Sequence, residues 1–147
     1  GLGDVYKRQV IFPFCSPKHQ QKIWPYYNEL ILKLKSNFPD IDIVLAPGPG
    51  EIKAAKKYNV KICLHNKKPT NFFQLSKLLI GAKYVISNDT GPAHLAAHMG
   101  CHGLALFGSH TTPKKVSIET SHFSSISSKN ISDISVEAVY KKINSHL

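Results

Sequence analysis

The sequence predicts an α/β domain built on a doubly wound parallel sheet of about six strands, with helices on both faces. Short β-rich runs alternate along the chain with stretches of helical period. Those runs are apolar throughout rather than every second residue, as strands buried on both faces must be. The length of 147 residues, with 42% hydrophobic and 19% charged, suffices for one core without disulfides or metal.

Taken in order, Val10–Phe14 is an apolar strand that Pro17 stops. Pro25 suits the first turn of a helix, and Tyr27, Leu30, Ile31, Leu34 and Phe38 form its buried stripe. Pro39-Asp40 breaks that helix before the strand Ile41–Ala46. The turn Pro47-Gly48-Pro49-Gly50 leads to a short lysine-rich helix, Glu51 to Tyr58, and Val60–Leu64 is the next strand. A loop, Asn66–Thr70, precedes a helix marked by Phe72, Leu75 and Leu79 that ends near Gly81. Tyr84–Ile86, Pro92–Met99 and Gly103–Phe107 read as strand, helix and strand. A weak strand around Phe123–Ile126 follows a polar loop, and Val136, Val139, Tyr140 and Ile143 give a closing helix. The polar segment Gly1–Gln9 fits none of this and reads as a frayed or extraneous tail, leaving residues 10–147 as the domain.

Nineteen Lys+Arg against nine Asp+Glu give a net charge of +10, which favours anionic partners. Apolar runs too short to cross a bilayer, and the lack of a signal-peptide pattern, point to a cytoplasmic protein. Cys15, Cys63 and Cys101 are widely spaced and read as reduced core thiols.

Ligands of open parallel sheets bind where strand ends lead into helix N-termini. The sharpest such place is Ser87-Asn88-Asp89-Thr90-Gly91-Pro92-Ala93-His94. Gly91 permits close backbone approach, Pro92 is preset for a first helical turn, and the freed N–H groups favour an anion. Thr90 adds a hydroxyl, Asp89 can accept from sugar hydroxyls, and His94 lies one turn in. Plain N-capping by Asp89 or Thr90 fits the same residues without a ligand. Glu51, after the Pro-Gly turn, could grip vicinal ribose hydroxyls, or serve only the helix dipole. Ser16 offers a hydroxyl and Lys22 a mobile cation, beside Trp24. Gly108-Ser109-His110-Thr111-Thr112-Pro113 could line a diphosphate pocket or be a polar loop. His94 and His98 share a helix face, with His102 and His110 nearby, but there is no H-E-x-x-H, no carboxylate at the right offset and no cysteine pair, so no metal is expected. The lysines from Lys53 to Lys68 lack interleaved aromatics and read as a solvated face.

Lys22-Ile23-Trp24-Pro25, Pro47-Gly48-Pro49-Gly50-Glu51, Asn88 through Ala97, and Leu106-Phe107-Gly108 with Thr112-Pro113 resemble glycosyltransferase family 9, the lipopolysaccharide heptosyltransferases. Order and approximate spacing both match, the Asp-Thr-Gly-Pro-x-His-Leu-Ala-Ala block most specifically, over about Val10 to Glu119.

That resemblance implies a GT-B fold of two Rossmann-like domains, of which this chain is the C-terminal, donor-binding one. The N-terminal acceptor domain, with the catalytic base, is expected to be absent, so the fragment alone should transfer nothing. By position, Asp89 would hold the sugar, Thr90 and Gly91 the diphosphate, Glu51 the ribose, and Ser16 a phosphate. Lys22 and His94 would support the transition state. The implied reaction is an inverting transfer, without a bound metal or other cofactor, from an ADP-heptose-like nucleoside-diphosphate sugar. The acceptor would be a lipid-linked saccharide, with peripheral contact to an anionic inner membrane and no nucleic acid. A non-catalytic nucleotide-binding module is the second reading on the same residues. An RNA-binding α/β domain rests on charge alone.

Overall fold

The computed structural model describes residues 8–15, 17–109 and 118–145. It contains six strands, β1 (Arg8–Phe12), β2 (Asp42–Leu45), β3 (Lys61–Ile62), β4 (Tyr84–Asn88), β5 (Gly103–Phe107) and β6 (Phe123–Ser127). Five α-helices accompany them: α1 (Tyr27–Asn37), α2 (Ile52–Ala55), α3 (Phe72–Ile80), α4 (Gly91–His98) and α5 (Val136–Asn144). Two 3-10 segments, Pro17–Lys22 and Ile131–Asp133, complete the described elements.

All strand pairs are parallel, in the order β3-β2-β1-β4-β5-β6. This is the Rossmann order, and the chain reverses its direction of travel across the sheet between β1 and β4. Strands β1, β4 and β5 are buried along their whole length. On one face Ile11, Ile43, Tyr84, Ile86, Leu104 and Leu106 pack against α1 and α5. On the other, Val10, Val44, Val85, Ala105 and Phe107 pack against Leu78 and Leu79 of α3 and Ala93, Ala96 and Ala97 of α4. Each fully buried Leu or Ile contributes about 1.5–3 kcal/mol of transfer free energy. Small residues let α4 lie close to the sheet. Gly103 does the same for β6, since a Cβ there would meet Phe123 Cε2 at 2.4 Å and the Val85 carbonyl at 2.7 Å.

The expected fold class holds, with corrections at the first strand. β1 begins at Arg8 and ends at Phe12, not Val10–Phe14, because Pro13 has no N–H for the ladder. Arg8 and Gln9, assigned from sequence to a tail, are buried members of that strand. Gly1–Lys7 lie outside the described residues. The helix expected from Glu51 to Tyr58 is one turn, and the strand expected at Val60–Leu64 shrinks to Lys61–Ile62 on the sheet edge. Among the described residues no helix is long and apolar enough to cross a membrane.

Candidate functional site

Strand β4 ends on Asn88, and the chain turns through Asp89 and Thr90 into α4. Asn88 is fully buried, and its amide joins three segments. Its Oδ1 accepts from the Trp24 backbone N–H at 3.0 Å and from the Tyr27 hydroxyl at 2.9 Å. Its Nδ2 donates to the Phe14 carbonyl at 3.5 Å. Trp24 packs edge-on against Tyr26 and Tyr27, with ring centroids 5.7 and 5.0 Å away, and its indole N–H donates to the Ile134 carbonyl at 2.8 Å. The tryptophan is a core residue, and fixing it fixes the end of the 3-10 segment that carries Lys22.

Lys22 thereby comes to the mouth of α4. Its Nζ lies 3.8 Å from Asp89 Oδ2, while Asp89 Oδ1 lies 3.2 Å from His94 Nε2. Both carboxylate oxygens of the buried Asp89 thus face a basic side chain. The negative charge compensates the Lys22 ammonium and orients the imidazole, so both basic groups stay beside the helix mouth. The Thr90 hydroxyl meets the Ser87 hydroxyl at 3.1 Å. Ser87 spends its own proton on the Asn88 carbonyl at 2.7 Å, which makes Thr90 the donor of that pair.

The N-capping alternative fails for Thr90. Thr90 occupies the N-cap position in extended backbone, yet its side chain does not cap α4. Beside the first turn of α4 lies a hollow of about 270 Å³ at the carboxyl ends of β1, β2 and β4, whose lining includes Phe14, Cys15, Gly48, Glu51, Thr90 and Gly91. Glu51 Oε1 accepts from the Gly48 N–H at 2.7 Å, so one carboxylate oxygen stabilises the Pro-Gly turn. Gly50 takes φ +79°, which that turn requires of a residue without Cβ. Burial pushes the Cys15 thiol up; Lys22 pulls it down less strongly, and Glu51 adds to the rise. The Cys15 thiol lines the hollow in its neutral form.

Of the residues singled out from sequence, Lys22, Asp89 and His94 form one cluster, and Glu51, Thr90 and Gly91 line the hollow next to it. Ser16 lies outside the described residues, as does His110–Pro113 of the loop after β5. Gly108 and Ser109 border a second hollow, about 220 Å³, with Gln21 and Lys129. Among the described residues no three metal-ligating side chains gather. Sequence reasoning missed Asn88 as the organiser; its one signal was an amide two residues after the apolar run Tyr84–Ile86.

The sequence model of glycosyltransferase family 9 (heptosyltransferase) matches residues 4–142. The chain belongs to glycosyltransferase family 9. No curated protein sequence matches it. Among solved structures, E. coli heptosyltransferase WaaC with ADP-2-deoxy-2-fluoro heptose superposes with a TM-score of 0.79 at 24% identity, over 96% of this chain and 44% of that one. E. coli ADP-heptose lps heptosyltransferase II gives 0.78 at 18% identity, over 94% and 45%. The UDP-GlcNAc 2-epimerase of Methanocaldococcus jannaschii, solved with UDP-GlcNAc and UDP, gives 0.62 at 14%, over 95% and 38%. These likenesses establish the fold, one Rossmann-like half of a GT-B arrangement. The family 9 chain described here spans less than half the length of each.

Proposed function

We propose that this chain is the donor-binding half of a family 9 glycosyltransferase, C-terminal in the whole enzyme. The observation that carries the reading is the first turn of α4, without a side-chain cap from Thr90, opening beside the hollow at the β1/β4 switch point. E. coli heptosyltransferase WaaC, solved with ADP-2-deoxy-2-fluoro heptose and also with ADP, supports an ADP-linked donor.

In this reading the hollow takes the nucleoside, with Glu51 toward the ribose, and the diphosphate rests on the N–H groups around Gly91. As the bond from sugar to phosphate breaks, negative charge grows on the departing nucleoside diphosphate. The helix dipole and the Lys22 ammonium are already oriented toward that charge and stabilise it without reorganising. His94, hydrogen-bonded to Asp89, keeps the carboxylate in place and adds positive charge when protonated. Asp89 would hold the sugar only by exchanging a present partner for a sugar hydroxyl. Transfer is inverting and needs no resident metal. The acceptor, a lipid-linked saccharide of the lipopolysaccharide core class, and the base that activates it belong to the N-terminal half. The protein would then work in the cytoplasm at the inner-membrane surface.

Calorimetric titration with ADP, with an ADP-sugar and with a short RNA tests this reading. ADP and the ADP-sugar should bind, and Lys22→Ala should weaken ADP about tenfold, or about 1.4 kcal/mol. An ADP titration without heat, alongside RNA binding that falls steeply with salt, would overturn it.

A further inference from the structure

Helix α3 buries Leu78 and Leu79 against the sheet and turns a different set of residues outward. Phe72, Phe73 and Ile80 are 71%, 65% and 75% exposed, an unusual concentration of large apolar side chains for one helix. Phe73, Lys77 and Ile80 recur at i, i+4 and i+7, a single ridge running about 10 Å along the axis. Lys77 Nζ lies 4.7 Å from the Phe73 ring centroid.

A tight turn precedes this helix. His65 and Lys68 exchange backbone hydrogen bonds of 2.8 and 2.9 Å, and Asn66 and Lys67 between them have φ of 51° and 65°. Asparagine tolerates that left-handed backbone, but a lysine there costs roughly 1–2 kcal/mol. The turn presents exposed Lys67 and Lys68 at its tip, and four residues of chain keep Lys68 within about 14 Å of Phe72. Exposed Lys83 follows the far end of α3. Between Glu51 and Asp89 the chain has eight lysines and not one Asp or Glu.

We propose that the α3 ridge and the Asn66-Lys67 turn form a docking surface for an anionic lipid bilayer. The choice of a membrane deepens the reading of a lipid-linked acceptor and rests on it. Lysines near an anionic leaflet contribute about 1 kcal/mol each, and Phe and Ile enter the boundary between headgroups and acyl chains. A second copy is disfavoured, because a two-fold pairing sets this acid-free surface against itself. RNA is disfavoured too. Ile80 has no π-face, Lys77 covers Phe73, and neighbouring Phe72 and Phe73 diverge by about 100° around the helix. Thr70 and Leu75 line the donor hollow, so docking through α3 brings the hollow's mouth near the bilayer.

Flotation of the chain with phosphatidylcholine vesicles, with or without phosphatidylglycerol, tests the surface. Binding should require phosphatidylglycerol and fall with salt. Phe73→Ser with Ile80→Ser should lower vesicle partition about tenfold or more, as should Lys67→Glu with Lys68→Glu. Lys141→Glu with Lys142→Glu, on α5, should leave it unchanged. Absence of vesicle binding, equal binding to neutral vesicles, or loss through the α5 variant would overturn the proposal. Self-association or RNA binding abolished by the α3 variants, in place of vesicle binding, would also overturn it. The α3 variants should keep the thermal transition and ADP affinity of the parent chain, so failure here and failure of the donor reading are distinguishable.

Discussion

Gly91 separates what the fold requires from what a ligand would require. A Cβ built there meets nothing within 4 Å, and the backbone is not left-handed. Alanine should therefore fold as well as glycine and favour the helix by up to about 1 kcal/mol. If phosphoryl oxygens rest on the adjacent N–H groups, the same methyl intrudes on them. Gly91→Ala is expected to leave the melting temperature equal or higher while ADP affinity drops about tenfold or more, about 1.4 kcal/mol by calorimetry. An unchanged affinity would remove the diphosphate from this turn. Gly103 is the contrasting case, where Phe123 and the Val85 carbonyl already occupy the space. Both glycines are plain in the sequence; their different reasons are not, because each depends on what the rest of the chain brings alongside.

Among elements, β1 starts oddly. Gln9 is fully buried with neither amide atom bonded, and Arg8 Nε is likewise unpaired. Gln9 shares its face of β1 with Ile11, among apolar side chains, and an unsatisfied buried group costs about 1–3 kcal/mol. Gln9→Leu, of similar volume, is expected to raise unfolding stability by that amount in a urea titration. A loss would mean the amide has a partner in solution. Elements with a strong period or a full apolar run were legible, with β5 recovered residue for residue and α3 and α5 within a residue or two. The 3-10 segment Pro17–Lys22 was not, because Pro-Lys-His-Gln-Gln-Lys has neither apolar period nor strand propensity. Its place is dictated by Trp24 at its exit. The edge strand β3 shrank because it has one neighbour to pair with instead of two.

On the scale of the whole molecule, tyrosines set an alkaline limit. Burial raises the Tyr84 and Tyr27 phenols well above the ordinary value of 10.0. Above that pH the unfolded chain loses phenolic protons that the folded chain retains, so stability falls as pH rises. Below it the contribution is fully present. Thermal melts should show a transition that is flat with respect to these groups up to about pH 10 and declines beyond it, more gently in Tyr84→Phe. The parallel architecture was legible because it follows from local pattern, and the placing of the candidate site at the strand ends rests on a general rule of such sheets. The Lys22, Asp89 and His94 cluster was legible only as separate candidates. Its assembly depends on Asn88, whose partners lie 61, 64 and 74 positions away.

Those separations have a kinetic corollary. Contacts between distant stretches of chain form late, after the loops between them have closed. The corner around Asn88 should thus be among the last parts to mature during refolding. If the proposed donor site lies there, recovery of ADP affinity should lag behind recovery of the far-ultraviolet helix signal.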